Sequence, residues 1–272
     1  MIGTVVSQIV SLFSILKITQ VLAPNDYGLF SFLSMQGLLL LSISGLGIKN
    51  IVVRSIARDP LRTKDLVING VILKSLALVI ISILYTFYNY FFGRLTGEQL
   101  ILVYAFSLFN VFFNSFHEVF FGREKMFFPS LFNLLYSLLW LLVVYMFPKN
   151  YFTATNLFYS FLILNVFKAA ICFLFLKQQK IIIGELTKFR VASNKLLRES
   201  WPYFVLIIIM LPFTMFSNNF LDINSTIQEV GYFNLSQKLI GPISMIVDLG
   251  LVAIFPNISA LWVKDQKKFK RY

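Results

Sequence analysis

Four lysines interrupt long apolar segments of this chain, where a charge is costly. Lys74 and Lys168 lie deep inside such segments, whereas Lys17 and Lys238 lie nearer to segment ends. On insertion scales a lysine at the centre of a bilayer costs about 2.5–3.5 kcal/mol, and it is tolerated where it faces a wet cavity or meets a counter-ion. A cavity-facing ammonium group can bind the phosphate of an anionic lipid or an acidic sugar. The alternatives are a structural ion pair with a buried acid such as Asp248, and snorkelling of the side chain to the membrane surface.

Polar side chains also recur along one face of two apolar segments. Steps of three and four residues place side chains on the same side of a helix. The first stripe contains Ser107, Asn110, Asn114 and His117, and the second contains Ser130, Asn133, Ser137 and Trp140. We interpret Asn110, Asn114, Asn133 and Ser137 as the polar lining of a wet interior suited to sugar hydroxyls. Hydrogen bonding between neighbouring helices is the alternative.

Few side chains inside the apolar segments could exchange a proton with a substrate or with water. His117 and Glu118 are candidates for proton coupling, and Asp248 is a candidate coupling residue or charge partner. A structural histidine is the alternative for His117. The sequence has no P-loop, zinc-protease, nucleophile-elbow or paired-carboxylate pattern. We therefore predict that the protein is not an enzyme and that it holds no cofactor.

The single cysteine, Cys172, lies in an apolar run. One cysteine cannot form a disulfide within the chain, and no cysteine–histidine zinc spacing is present. We expect Cys172 to serve packing, and we predict no metal site.

The composition sets the class of protein that must position these groups. Of the 272 residues 58% are hydrophobic, 13% are charged, and the mean hydropathy is +0.77. Soluble domains contain about 45–50% apolar residues. The net charge of +12 does not indicate a nucleic-acid-binding protein, because the basic residues fall between apolar blocks and not along one solvated face. The sequence predicts an all-α integral membrane protein.

A membrane-spanning helix needs about 20 mostly apolar residues. Scanning on that length predicts eight spans, at Ile2–Leu22, Tyr27–Ile48, Val67–Phe87, Leu100–Phe121, Pro129–Phe147, Asn156–Leu176, Trp201–Phe220 and Leu239–Leu261.

The connections between these spans alternate in charge. Nearly all loop lysines and arginines lie after the even-numbered spans, whereas the other loops contain only Arg94 and Lys149. Positively charged loops face the cytoplasm. The rule predicts a cytoplasmic N-terminus.

A weak internal repeat relates two hairpins. A shift of 203 residues aligns Gly28 with Gly231, Phe30 with Phe233, and Gly47 with Gly250. Because six spans separate the copies, both have the same orientation, which is the pattern of a parallel repeat about an axis normal to the membrane. A generic extracellular turn in each copy is the alternative.

Four motifs stand out along the chain, namely "VLAPNDYGLFSF", "GLGIKNIVVRSIARDP" from Gly45, "STIQEVGYFNLSQKL" and "AIFPNISALW" from Ala253. Together they resemble motifs of the polysaccharide flippases, the O-antigen and capsule repeat-unit translocases of the multidrug/oligosaccharidyl-lipid/polysaccharide exporter superfamily. The resemblance implies translocation of a lipid-linked oligosaccharide across the bacterial cytoplasmic (inner) membrane for lipopolysaccharide or capsule assembly. A multidrug or organic-cation exporter of the same superfamily, or a non-transporting membrane scaffold, is the alternative.

The resemblance also implies partners and an architecture. The partners are the lipid-linked oligosaccharide and membrane lipids, with a polysaccharide polymerase and glycosyltransferases as further candidates and no nucleic acid. The fold would consist of parallel six-helix bundles like those of the multidrug exporters. Residues 1–185 would form the complete N-terminal lobe, and residues 186–272 would form only the first two helices of a C-terminal lobe.

Two features of the family pattern affect individual residues. Arg54 lies within the second motif at the expected cytoplasmic mouth, where it is a candidate for substrate binding or for ordinary positive-inside anchoring. Many relatives carry an acid in span seven, whereas the matching positions here, Ser217, Asn218 and Asn219, are neutral.

Overall fold

The computed structural model describes residues 2–93, 95–178, 189–214 and 216–241. Every regular element in these ranges is a helix. The α-helices are α1 (Ile2–Val21), α2 (Pro24–Ser44), α3 (Ile48–Arg58), α4 (Thr63–Phe92), α5 (Gly97–Gly122), α6 (Phe127–Met146), α7 (Ala154–Gln178), α8 (Phe189–Thr214) and α9 (Phe216–Asn224). Single 3₁₀ turns occupy Pro60–Arg62 and Lys149–Tyr151. Residues 227–241 form a further helix, α10.

The helices have the length and the surface of membrane spans. Within the described ranges, six helical segments are long and apolar enough to cross a bilayer, and Val5–Val21 of α1 is a shorter apolar helix. Large apolar side chains on the outer faces are exposed, among them Ile83, Leu84 and Phe87 of α4. Such a surface is stable only in lipid. The protein is therefore an all-α integral membrane protein, as the composition predicts.

The helices pack around two clusters of buried apolar residues. Helix α5 is central, since it contacts α2, α3, α4 and α7, while α1 packs along α6. One cluster, which includes Phe30, Phe106 and Trp140, lies towards the ends of α2 and α5 that are predicted to be extracellular. The other, which includes Ile51 and Phe120, lies towards the opposite ends. A cavity remains between the helices, as described below.

Helix α3 is an element that the predicted spans omit. Leu46 and Gly47 both have positive φ and end α2 in a sharp turn. The chain then forms a short amphipathic helix, whose buried residues Ile48, Ile51, Val52 and Ile56 recur at helical spacing. Glycine is favoured at position 47 for two reasons. Its positive φ disfavours residues with a side chain, and a Cβ atom would lie 2.6 Å from the backbone nitrogen of Phe204 in α8. The scan missed α3 because it searched for membrane-length apolar runs.

Two predicted spans begin too late. Helix α8 starts at Phe189 and not at Trp201, and α10 starts at residue 227 and not at Leu239. The opening turns of both helices mix apolar residues with charged ones, such as Arg190 and Lys195 in α8 and Glu229 in α10. A hydropathy scan excludes such turns although they belong to the same helix. Pro212 lies near the C-terminal end of α8. The predicted end of span eight lies outside the described residues.

The sequence repeat has a structural counterpart. Helix α2 begins at Pro24 and α10 begins 203 residues later. The two helices cross so closely that a Cβ atom on Gly231 would lie 2.8 Å from the Cα of Gly28. Asn234 Nδ2 donates a hydrogen bond of 3.4 Å to Ser31 Oγ, again 203 residues away. Equivalent residues of the two copies thus contact each other. The division into lobes at residue 185 stays a prediction.

Candidate functional site

A cavity of about 400 Å³ opens in the middle of the helix bundle. Six helices contribute to its wall, namely α1, α2, α5, α6, α7 and α10. We call it the central cavity. Of the candidate residues, Lys168, Asn110 and Ser137 line it, and Lys238 does so as well.

Lys168 projects from α7 between two aromatic rings. Its Nζ lies 3.9 Å from the ring centroid of Phe113 on α5 and 4.5 Å from that of Tyr136 on α6. Cation–π contacts of this kind stabilise a desolvated ammonium group. Among the described residues, no carboxylate lies within salt-bridge distance of Lys168. The rings hold the lysine in place and leave its charge available to an anion.

Lys238 brings a second ammonium group to the central cavity. Because α10 begins at residue 227, Lys238 lies eleven residues inside the helix and not near its outer end as the sequence analysis expected. Its Nζ lies 5.9 Å from the ring centroid of Phe30. No carboxylate from the described ranges pairs with Lys238 either. The central cavity therefore contains two cations that the described acids do not neutralise.

The rest of the cavity wall combines aromatic rings with amides. Phe30 stacks on Trp140, and Phe161 packs edge-on against the same indole at 4.9 Å. Asn165 Nδ2 donates to the hydroxyl of Tyr136 at 3.0 Å, which orients that ring beside Lys168. A wall with rings and amide groups presents both apolar faces and hydrogen-bonding groups to a ligand. Sequence analysis missed Asn165, which lies one helical turn before Lys168 and is recognisable by that spacing.

Lys74 has a different environment. It is 4% exposed, and its Nζ lies 2.8 Å from both carboxylate oxygens of Glu118 and 3.1 Å from Ser115 Oγ. Among the described residues the counter-ion is Glu118; Asp248, which the sequence analysis gave as an example of such an acid, lies outside them. Lys74 thus forms the structural ion pair that the sequence analysis gave as the alternative to substrate binding. Its partner, Glu118, is the residue that the sequence analysis named as a candidate for proton coupling. A buried pair leaves Lys74 less free than Lys168 to bind an anion.

The Lys74–Glu118 pair borders a second cavity of about 250 Å³, with Lys49, Asn114 and His117 also in its wall. The imidazole of His117 donates a hydrogen bond to the backbone carbonyl of Pro129. Its Nε2 atom is buried without a hydrogen-bond partner among the described residues. His117 and Glu118 both line this second cavity. Their role in proton coupling stays a prediction.

Other candidates lie away from the central cavity. Lys17 Nζ lies 5.4 Å from the ring centroid of Tyr145. Arg54 pairs with Glu199 at 3.0 Å, in a shallow pocket at the end of the bundle that contains α3. Asn133 is partly buried on α6 and is absent from the wall of the central cavity. Asp248 lies outside the described residues.

The polar stripe on α5 consequently serves several purposes. Ser107 donates a hydrogen bond of 3.0 Å to the Gly37 carbonyl of α2, which is the helix–helix contact named as the alternative. Asn110 faces the central cavity, whereas Asn114 and His117 face the second cavity. A single helix face spans both cavities because α5 runs through the centre of the bundle.

Comparison with known proteins gives the family. The sequence model of the family described as "Polysaccharide biosynthesis protein" matches residues 1–262. The chain belongs to this family. No curated protein and no solved structure matched the chain. Membership makes it a multi-pass membrane protein of polysaccharide biosynthesis, in agreement with the resemblance seen in its motifs.

The central cavity of this family member thus combines two ammonium groups with a wall of aromatic rings and amide groups.

Proposed function

We propose that the protein translocates a lipid-linked oligosaccharide, a repeat unit attached to polyprenyl pyrophosphate, from the cytoplasmic to the outer leaflet. The membrane is the bacterial cytoplasmic membrane, the N-terminus is cytoplasmic, and the product is used for surface polysaccharide assembly. The protein acts as a transporter and makes or breaks no covalent bond. The single observation that carries the proposal is the central cavity with Lys168 and Lys238 in its wall.

The physical problem of translocation explains why cations are placed there. A pyrophosphate crossing apolar surroundings unpaired meets a prohibitive desolvation penalty. Lysine ammonium groups inside a cavity lower that barrier by pairing with phosphate oxygens in charge-assisted hydrogen bonds. Lys168 and Lys238 are available for this role because the described acids do not pair with them.

The remaining wall suits the sugar part of the substrate. Asn110, Ser137 and Asn165 contribute polar groups, and Trp140 and Phe161 contribute ring faces. Carbohydrates present hydroxyl groups at their edges and C–H groups on their faces, so both kinds of wall contribute to binding. Transport then requires the bundle to open alternately to the two sides of the membrane.

The charge of the cavity favours this function over export of organic cations. Two lysines without acidic partners among the described residues repel a cationic drug and attract a phosphate. A cation exporter would instead need a buried carboxylate in its cavity. The described wall of the central cavity contains no aspartate or glutamate.

The test is a binding measurement on the protein in lipid nanodiscs, with a short-chain prenyl pyrophosphate as the probe. Lys168→Gln should weaken binding roughly tenfold or more, because a hydrogen bond to a charged group is lost. Lys168→Arg should retain part of the affinity. Lys125→Gln removes the same charge from an exposed position between α5 and α6 and should leave binding unchanged. Equal binding by Lys168→Gln, or displacement of the probe by a cationic dye, would contradict the proposal.

A further inference from the structure

A narrow apolar groove runs along the outside of the bundle between α6 and α7. Its volume is about 170 Å³, less than half that of the central cavity. Leu135 and Leu139 of α6 and Phe167 and Ile171 of α7 line it, and each is about half exposed. In a membrane these side chains face lipid tails. The groove has room for a single slim chain.

The groove and the central cavity are neighbours that share two wall residues. Tyr136 and Lys168 line both of them. Lys168 therefore stands at the boundary between a lipid-facing surface and the interior. Its ammonium group lies between the Phe113 and Tyr136 rings, so a charge sits at the inner end of an otherwise hydrocarbon-lined groove.

The depth of Lys168 identifies the kind of lipid. At about 1.5 Å per residue, it lies roughly 20 Å along α7 from Ala154 and roughly 15 Å from Gln178. The phosphate of a stationary phospholipid lies at the membrane surface. A lipid whose phosphate reaches Lys168 has therefore moved its head group into the protein.

We propose that the groove between α6 and α7 is a lateral portal, in which the polyprenyl tail of the substrate lies while its phosphates bind Lys168. The inference rests on the proposed function, and it adds where the tail of the substrate leaves the cavity. The charge of Lys168 complements the phosphate, and the apolar walls complement a prenyl chain. The large, hydrophilic head group then crosses inside the bundle without drawing its tail out of the hydrocarbon.

Another groove on the surface of the bundle serves as a control, because it is apolar but has no charged residue in its wall. A second lipid-facing groove, between α4 and α5, has a volume of about 460 Å³ and is lined by residues such as Val79, Ile83 and Ile101. Its polar wall contains only hydroxyl groups, those of Ser82, Thr86 and Tyr104, and no charged residue. Apolar shape alone would favour this larger groove, whereas charge complementarity favours the groove beside Lys168.

The test is photolabelling of the protein in nanodiscs with a long-chain polyprenyl phosphate that carries a diazirine on its tail, followed by peptide mapping. Labelling should concentrate on α6 and α7 and should be displaced by unlabelled polyprenyl phosphate but not by phosphatidylglycerol. Leu139→Trp should reduce this labelling about tenfold by filling the groove. Ile101→Trp fills the control groove and should not reduce it. Ile171→Trp repeats the block from α7.

A short-chain prenyl pyrophosphate separates the two proposals. It needs the cavity but not the groove, so Leu139→Trp and Ile171→Trp should bind it normally, which also shows that the variants are folded. Normal binding of the short probe with equal labelling of both grooves, or equal displacement by phosphatidylglycerol, overturns the portal alone. Failure of the wild-type protein to bind the short probe overturns the proposed function.

Discussion

Gly28 and Gly231 face each other at the crossing of α2 and α10, where a Cβ atom on Gly231 would lie 2.8 Å from the Cα of Gly28. The two residues stand 203 positions apart, as do the hydrogen-bonded Ser31 and Asn234 one turn further on. The sequence analysis predicts a parallel repeat about an axis normal to the membrane. On that prediction the axis passes between α2 and α10, close to the N-terminal ends where these equivalent residues meet.

The close approach of the helices predicts a steric effect at Gly28. A Cβ atom there would overlap the carbonyl oxygen of Ile227. Gly28→Ala should therefore force α2 and α10 apart and destabilise the protein by about 1–3 kcal/mol, the usual range for overpacking. The measurement is the apparent melting temperature in detergent. Gly97→Ala is the matched control, because a Cβ atom at Gly97 meets nothing within 4 Å; an equal melting temperature for both variants would refute the contact.

The Ser31–Asn234 hydrogen bond predicts a disulfide. In a Cys172→Ala background, the pair Ser31→Cys and Asn234→Cys should cross-link under mild oxidation, because the two side chains meet across the helix crossing. Ser236 is exposed and donates a hydrogen bond to its own helix at Tyr232, so Ser31→Cys with Ser236→Cys should not cross-link. Gel mobility after cleavage of the connecting loop reports the bond, and cross-linking of the control pair alone would show that the register is wrong.

Hydropathy predicted the membrane helices well because a span must be apolar over a fixed length. The same criterion could not find α3, which lies after the turn at Leu46 and Gly47 and buries only one side. The same criterion also placed the starts of α8 and α10 too late, because the opening turns of both helices contain charged residues. Placing Lys238 near a helix end followed directly from that error in the start of α10.

The site could be predicted in part. Depth in an apolar segment identified Lys168, and the helical spacing of polar residues identified Asn110 and Ser137; all three line the central cavity. Sequence could not predict that Lys74 pairs with Glu118, since the two residues are 44 positions apart on α4 and α5 and meet only through helix packing. Nor could it distinguish Asn133, outside the cavity wall, from Ser137 one turn later, because both lie on the same stripe of α6.

The buried pair of Lys74 and Glu118 predicts a stability effect instead of a loss of ligand binding. Lys74→Gln leaves Glu118 as an uncompensated buried charge, which costs about 3–5 kcal/mol. The double variant Lys74→Gln with Glu118→Gln should recover most of the loss. Arg54→Gln breaks an exposed pair with Glu199 and should cost at most about 1 kcal/mol. Thermal unfolding in detergent measures all of these, and a double variant as unstable as Lys74→Gln would argue against the pair.

The predicted orientation of the helices has a direct test in whole cells. In a Cys172→Ala background, single cysteines at Asn25 and Gly97 should react with an impermeant thiol reagent added from outside, and a cysteine at Leu61 should react only after the membrane is opened. All three positions are exposed at helix ends or loops. The opposite pattern would place the N-terminus outside.

Translocation itself is tested most directly by locating the lipid-linked oligosaccharide in cells that carry Lys168→Gln together with Lys238→Gln at the native locus. Removing both cations from the central cavity should leave the protein at normal abundance, because neutralising a charge within the membrane eases insertion. The measurement is the fraction of lipid-linked oligosaccharide that an impermeant glycosidase reaches from outside. We predict that this fraction falls, that the intermediate accumulates on the cytoplasmic side, and that surface polysaccharide decreases. An unchanged accessible fraction, with the variant at normal abundance, would contradict the account.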